Sequence, residues 1–135
     1  MPRRDVSIAV VGSGGDGVVT LGDLVAQAAA KEGLHVIKTE AYGPQIRGGE
    51  SSCAVRLAAH EIAAPADAVD VLVVFRWADF ARFRGEIAVS EDAVILVEAD
   101  DKTPADQIDV AIEGRSLMIP VPFTELARDT AGSPA

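Results

Sequence analysis

The 135-residue chain is long enough for one domain with a hydrophobic core, and 49% of its residues are hydrophobic. Twelve Lys and Arg residues against 21 Asp and Glu residues give a net charge of −9, which argues against nucleic acid or an anionic membrane as a partner held by bulk charge. The single cysteine excludes an internal disulfide framework, a CxxC zinc site and a self-contained iron–sulfur cluster.

The first half of the chain predicts three strands and one helix. Residues 8–11 form a short β-branched run that predicts a buried strand. Val18–Lys31 has apolar residues at three- and four-residue spacing, which predicts an amphipathic helix that ends at a Gly33 C-cap. Residues 34–40 predict the second strand. Residues 51–58 alternate with a period of two, which predicts a strand with one wetter face, in an antiparallel or edge position.

The second half predicts three more strands and two short helices. Residues 69–75 and 93–97 are continuous apolar runs, typical of strands covered on both faces, with a helix at 78–84 between them. Leu117–Val121 predicts the last strand, and Thr124 is expected to cap a helix that begins one residue later. This order predicts an α/β protein with a Rossmann-like, mostly parallel, doubly wound sheet and one antiparallel or edge strand. Three helices leave sheet surface that either loops or another polypeptide must cover, and of these we expect a partner polypeptide.

The chain carries no sign of membrane insertion or export. No apolar stretch approaches the roughly 20 residues that a membrane helix needs. The start, with Arg3 and Arg4 before a four-residue apolar run and then glycines, differs from a secretory signal. We therefore expect a cytoplasmic protein with one domain over residues 1–135 and no membrane partner.

A glycine-rich loop follows the first predicted strand. It fits the pattern G-x-G-x-x-G with Gly12, Gly14, Gly15, Asp16 and Gly17. Glycines let the backbone approach an anion, and the helix that follows offers free N–H groups and a positive dipole. Glu40 lies about where a ribose-binding acid would sit, so an NAD(P)-binding Rossmann domain is one hypothesis. A tight turn with close helix–strand packing is the other, and the carboxylate of Asp16 would repel a pyrophosphate.

A second glycine-rich loop follows the second predicted strand. Its candidate binding residues are Tyr42, Gly43, Arg47, Gly48 and Gly49. An arginine beside two glycines lets a guanidinium and several backbone N–H groups converge on one anion. A surface loop whose Arg47 pairs with a nearby acid is the alternative. Arg76 follows the strand at 69–75 and belongs to the same sheet edge, where it joins the candidate site or forms a surface salt bridge.

Taken together, these segments resemble the gamma subunit, or gamma domain, of 2-oxoacid:ferredoxin oxidoreductases, which include the pyruvate and 2-oxoglutarate enzymes. The resemblance rests on GSGGDGVVTLGDLVAQAAAKEG, EAYGPQIRGGESSCAVRL and VDVLVVF, and it runs from Ile8 to about Ala127. Asp16 stands where the family usually has glutamine, and Gln45 stands where glutamate is common. The family's gamma unit continues for several tens of residues more, so this gamma-type domain looks short at its C-terminus.

The resemblance implies an accessory part of an enzyme that converts a 2-oxoacid, coenzyme A (CoA) and oxidised ferredoxin into acyl-CoA, carbon dioxide and reduced ferredoxin. It implies alpha and beta subunits that carry thiamine diphosphate and iron–sulfur clusters, and ferredoxin or another electron acceptor reached through the assembly. No cofactor, catalytic residue or metal ligand is expected in this chain alone. Its loops are expected to contact CoA or to organise the CoA entrance. A purely structural interaction domain, whose loops contact only protein, is the alternative.

Three further residues of chemically capable types are expected to be structural. Cys53 lies at an inward position of its predicted strand, which favours a small core residue over a reactive thiol. His35 and His60 have no ligand residues spaced around them, so each is expected to be structural or solvated.

Overall fold

The computed structural model describes residues 5–13, 15, 17–43, 49–83, 86–103 and 117–131. Each predicted strand and helix has a counterpart there, and the first and fifth strands extend beyond the predicted runs. No helix in these ranges combines the length and the apolar character needed to cross a membrane. The elements are β1 (Asp5–Ser13), α1 (Val18–Lys31), β2 (His35–Tyr42), β3 (Glu50–Ala58), β4 (Val69–Val74), α2 (Trp77–Phe83), β5 (Val89–Glu98), β6 (Leu117–Val121) and α3 (Phe123–Ala131).

The six described strands form one sheet in the order β2-β3-β1-β4-β5-β6. β3 runs antiparallel to both of its neighbours, β2 and β1, whereas β1, β4, β5 and β6 run parallel to one another. The predicted α/β fold with a mostly parallel sheet and one antiparallel strand is thus confirmed. Of the two positions predicted for residues 51–58, antiparallel or edge, β3 takes the antiparallel one; it lies inside the sheet, and the edge strands of the described sheet are β2 and β6.

Helices pack on both faces of the sheet, as in a doubly wound fold, whereas Leu117–Ile119 of β6 stay exposed. One face packs against α2, whose three aromatic side chains, Trp77, Phe80 and Phe83, are all at least 95% buried. The rings of Trp77 and Phe80 meet edge to face with centroids 5.7 Å apart. The other face packs against α1 and the start of α3, through Val18, Cys53, Val55 and Phe123 among others. Three of the six aromatic residues of the chain therefore anchor α2, a helix of seven residues.

The two helix ends predicted from sequence have opposite outcomes. The C-cap of α1 is Glu32, so the predicted glycine stop is present but lies one residue beyond the C-cap. Gly33 adopts a φ of 82°, and the N–H of Leu34 donates to the carbonyl of Ala29. The predicted Thr124 cap is wrong. The first backbone hydrogen bond of α3 runs from Leu126 to the carbonyl of Pro122, so Thr124 lies within the first turn.

Gly22 of α1 packs directly against Cys53 of β3. A Cβ atom at Gly22 would overlap the Cys53 sulfur, so only a residue without a side chain fits. The Cys53 side chain is 1% exposed, and this burial raises the pKa of its thiol. Cys53 is therefore the core residue that the sequence predicted.

We expect Gly22→Ala to destabilise the protein although alanine is the better helix former. Overpacking costs about 1–3 kcal/mol, against about 1 kcal/mol that alanine gains over glycine in a helix. In a Cys53→Ala background the sulfur is gone, and the same substitution should then cost little or should stabilise. Urea unfolding of the four proteins of this cycle measures the coupling. If Gly22→Ala lowered the free energy of unfolding equally in both backgrounds, the contact with the Cys53 sulfur would not be the reason that α1 requires a glycine here.

Arg56 ties the start of β1 to the segment after β3. Its Nε and Nη2 donate to the two carboxylate oxygens of Asp5 at 3.0 and 2.7 Å, and its Nη1 donates to the carbonyl of Ala64 at 2.8 Å. The Nε2 of His60 lies 3.3 Å from the same carboxylate. The hydrogen bonds from Arg56 hold the pKa of Asp5 below its usual value.

This lowered pKa makes part of the stability dependent on pH. A carboxyl whose folded pKa is depressed stabilises the fold above its unfolded pKa, about 4, and the contribution is lost as the pH falls through the folded pKa. Arg56→Gln should therefore lower the melting temperature at pH 7, and the gap to the wild type should close below about pH 4. Melting curves from pH 3 to 7 check this. In the control, Arg56→Gln is made in an Asp5→Asn background, where its effect on the melting temperature should not depend on pH in this way. A constant gap would refute it.

Candidate functional site at the carboxyl edge of the sheet

One edge of the sheet collects the segments that carry the candidate residues. β2 and β1 are both antiparallel to β3, so they point the same way as β4, β5 and β6. The carboxyl ends of these five strands and the amino end of β3 therefore share one edge. Ligands of open α/β sheets bind outside this edge. β1 ends here at Ser13, β2 ends here at Tyr42, and Arg76 follows the end of β4.

The described ends of the two glycine-rich loops are joined by backbone pairing. Ser13, the last residue of β1, is paired in register with Glu50, the first residue of β3. The N–H of Gly43 donates to the carbonyl of Glu50 at 2.8 Å, which closes the second loop at its base. The hydroxyl of Ser13 donates to the carboxylate of Asp79 in α2 at 2.7 Å. The described ends of the two loops are therefore held together by hydrogen bonds at this edge.

The amino terminus of α1 is open toward this edge. Its N-cap is Gly17, with a φ of 84°, and no described side chain accepts a hydrogen bond from the first turn. No acidic residue lies in that turn. Gly15 also has a positive φ, 92°, and neither glycine has another atom near the place of a Cβ. Uncapped amide groups and the positive end of the helix dipole together form a favourable place for an anion.

A cleft of about 570 Å³ lies between the start of α1 and α3. Its walls are mainly apolar, and the rings of Phe75 and Phe123 meet edge to face across its floor with centroids 5.2 Å apart. Arg76 and Glu98 supply its charged groups, and Gly17 places the open end of α1 at its rim. The cleft thus combines an apolar wall with an anion-suited end.

Two carboxylates, one at the last residue of β5 and one three residues later, cap helices on opposite faces of the sheet. Glu98 accepts a hydrogen bond from the Phe123 N–H at 2.9 Å, at the start of α3. Asp101 accepts one from the Trp77 N–H at 2.8 Å, at the start of α2. Partial burial raises the pKa of Asp101, but hydrogen bonds from Thr103 and from the Trp77 amide hold it below its usual value. The sequence analysis missed both caps, although the Asp-x-Thr pattern at 101–103 is a local signal.

The structure describes seven of the eleven predicted site residues, and all seven lie at this edge. They are Gly12, Gly15, Gly17, Tyr42, Gly43, Gly49 and Arg76. Gly12 is buried within β1, opposite Ser51, and Tyr42 is 63% exposed at the end of β2. The remaining four lie outside the described residues, so their convergence with the first loop stays a prediction. These are Gly14, Asp16, Arg47 and Gly48.

The position of Glu40 does not favour a dinucleotide site. In a Rossmann fold the second strand lies beside the first, whereas here β3 separates β2 from β1. Glu40 instead accepts hydrogen bonds from Lys38 and from the Tyr42 hydroxyl, both at 2.7 Å. The Lys38 hydrogen bond holds the pKa of Glu40 below its usual value. A ribose would have to displace both of these partners.

Neither sulfur nor imidazole ligands for an iron–sulfur cluster fit this chain. A cluster needs several thiolates, and the one cysteine of the sequence lies in the core beneath Gly22. His60 contacts Asp5 at the opposite edge of the sheet, and His35 lies exposed at the start of β2.

An open α/β sheet with two glycine-rich loops at its carboxyl edge defines the chain as a Rossmann-like domain. It belongs to the Pyruvate ferredoxin/flavodoxin oxidoreductase family, whose pattern matches residues 7–135. Ketoisovalerate oxidoreductase subunit VorA of Methanothermobacter marburgensis is 41% identical over 96 residues, 70% of this chain and 20% of that protein. 2-Oxoglutarate synthase subunit KorC of Methanocaldococcus jannaschii is 30% identical over 133 residues, 94% of this chain and 65% of that protein.

Solved structures share the fold of this chain. The gamma subunit of the keto/oxoacid ferredoxin oxidoreductase from Geobacter sulfurreducens superposes with a TM-score of 0.70 at 24% identity, over 97% of this chain and 68% of that one. The 2-oxoglutarate:ferredoxin oxidoreductase from Magnetococcus marinus was solved with 2-oxoglutarate, CoA and succinyl-CoA bound. It superposes with a TM-score of 0.78 at 23% identity, over 96% of this chain and 22% of that one. The chain spans about a fifth to a quarter of the length of the VorA relatives.

The two carboxylate caps predict separable local effects. Removing a helix cap costs about 0.5–2 kcal/mol and acts first on the helix that it caps. Glu98→Ala should therefore speed amide exchange in α3 and leave α2 protected, whereas Asp101→Ala should do the reverse. Hydrogen exchange read by mass spectrometry distinguishes the two helices, and each variant serves as the control for the other. Equal loosening of both helices by either variant would contradict independent capping.

Proposed function

We propose that the chain is the accessory, gamma-type part of a multi-subunit 2-oxoacid:ferredoxin oxidoreductase. The assembly would oxidise and decarboxylate a 2-oxoacid, pass its electrons to ferredoxin or another acceptor, and transfer the acyl group to CoA. Alpha and beta subunits would hold the thiamine diphosphate and the iron–sulfur clusters. Family membership over residues 7–135 and the gamma-subunit fold support this role. The buried single cysteine is consistent with an accessory part that relies on its neighbours for redox chemistry.

The open amino terminus of α1 carries the proposal that this edge meets CoA. CoA is a polyanion with phosphate groups on a long flexible arm, and uncapped helix amides beside glycines suit such groups. The first loop would supply backbone N–H groups, and Arg47 would supply a guanidinium from the second. The register pair of Ser13 and Glu50, which joins the described ends of the two loops, supports this arrangement. Arg76, on the rim of the apolar cleft, would extend the positive side of the entrance.

A purely structural interaction domain is the second candidate, and a different observation favours it. Large apolar side chains are exposed beside the cleft and on the edge strand β6, among them Leu24, Leu117 and Leu126 at 58%, 57% and 50% exposure. Exposed apolar patches of this kind mark contacts with other proteins. In this case the loops would bind a subunit surface, and CoA would be held elsewhere.

Arg47→Ala in the complete assembled enzyme distinguishes the two candidates. A charge-assisted hydrogen bond contributes about 1.5–3 kcal/mol, so its loss should raise the KM for CoA roughly 10- to 150-fold. The KM for the 2-oxoacid should change little, because that substrate reacts on the thiamine of another subunit. Arg82→Ala is the matched control, since Arg82 is an exposed arginine in the last turn of α2. Steady-state kinetics with CoA and oxoacid varied in turn provide the measurement.

Each remaining outcome points to one candidate. An unchanged KM for CoA in a fully assembled enzyme would overturn the CoA contact. Loss of subunit assembly in gel filtration, with normal CoA kinetics in the enzyme that does assemble, would favour the structural role.

A further inference from the structure

The outer side of β2 is an edge that no described strand pairs with. β2 is eight residues long, and its partner β3 lies on one side only. Edge strands of this length expose a row of backbone donors and acceptors. Natural proteins either protect such an edge or pair it with another strand. The question is which partner the edge of β2 fits.

The register with β3 determines which peptide groups of β2 point outward. Gly43 donates to the carbonyl of Glu50, its register partner, so Gly43 and every second residue before it bond to β3. The peptide groups of the alternate residues therefore face away from the sheet. These residues are Val36, Lys38, Glu40 and Tyr42.

A second copy of β2, running antiparallel, matches this edge in one register. Pairing around Thr39 places Lys38 opposite Glu40 of the second copy, and Val36 opposite Tyr42. All four outward residues of each strand then fall in hydrogen-bonded pairs, while Thr39 meets its own copy in a non-hydrogen-bonded pair. The neighbouring registers centred on Lys38 or on Glu40 instead oppose two like charges, which is unfavourable across strands.

The charges on this strand are already arranged for such pairing. Lys38, Glu40 and Tyr42 share the face on which α1 packs, and Lys38 contacts the carboxylates of both Asp23 and Glu40. A second copy would add a Glu40 beside Lys38 and a Lys38 beside Glu40, so the two chains would share one ring of alternating charges. Opposite-charge cross-strand pairs stabilise antiparallel sheets.

We infer that β2 is a homotypic interface, through which two copies of this chain join their sheets about a twofold axis at Thr39. The interface is isologous, because the same strand serves both partners. It lies at the side of the sheet away from β6 and does not depend on the proposed CoA contact. The occupant is a second copy of this chain, since the charge pattern of the strand is complementary to itself.

Cysteine cross-linking tests the register directly. Opposed residues in a non-hydrogen-bonded pair have Cα atoms about 4.5 Å apart, within the range of a disulfide. Thr39→Cys in the complete polypeptide, purified with the subunits that co-elute, should therefore yield at least about tenfold more disulfide-linked homodimer on mild oxidation than His35→Cys. His35 is an exposed residue of the same strand, eight positions from its own copy in this register. Equal yields, or a link from residue 39 to another subunit, would overturn the inference.

Charge exchange supplies a second test that does not require oxidation. Lys38→Glu opposes Glu40 of the other copy and should weaken dimerisation about tenfold in sedimentation velocity. The exchange Lys38→Glu/Glu40→Lys restores opposite charges across the twofold axis and should recover the dimer to within about threefold of the wild type. Circular dichroism verifies that each variant is folded. The homotypic interface would be overturned if the wild-type assembly contained one copy of this chain. It would also be overturned if the exchange variant dimerised as weakly as Lys38→Glu.

Discussion

The double pairing of β3 is the constraint on which the rest of the molecule depends. This strand bonds to β1 over nine residues and to β2 over eight, antiparallel in both cases. By returning between them it brings the base of the second loop beside that of the first. It also displaces β2 to the edge, which removes Glu40 from the ribose position of a Rossmann fold. One strand therefore accounts for the paired loops, for the disfavoured dinucleotide site and for the available edge of β2.

Much of this fold could be predicted because buried parallel strands and an amphipathic helix leave strong local patterns. The apolar runs at 69–75 and 93–97 and the spacing in Val18–Lys31 are of this kind. The period-two pattern of residues 51–58 indicated one wetter face but not the strand's neighbours, since antiparallel and edge strands share it. Thr124 was a plausible cap by residue type, but the Phe123 amide is satisfied by Glu98, 25 residues earlier. Such a contact depends on the sheet order, which no local pattern encodes.

The candidate site, too, could be predicted only in part. Glycine spacing located both loops, and the parallel order of strands brought their ends to one edge as expected. The apolar cleft beside α1 was not predicted, because its walls come from α1, β4, β5 and α3 together. A surface that offers amide groups at one end and apolar walls at the other is suited to a long ligand with a charged and an uncharged part. The same surface suits a neighbouring subunit, which is why kinetics and assembly have to be measured in one experiment.

The contact between Gly22 and Cys53 has a chemical consequence beyond packing. The sulfur fills the space that the missing side chain of Gly22 leaves, and it is 1% exposed. Oxidation begins at the thiolate, which burial disfavours, and adds oxygen atoms for which this crossing has no room. The domain therefore presents no oxidisable thiol on its surface.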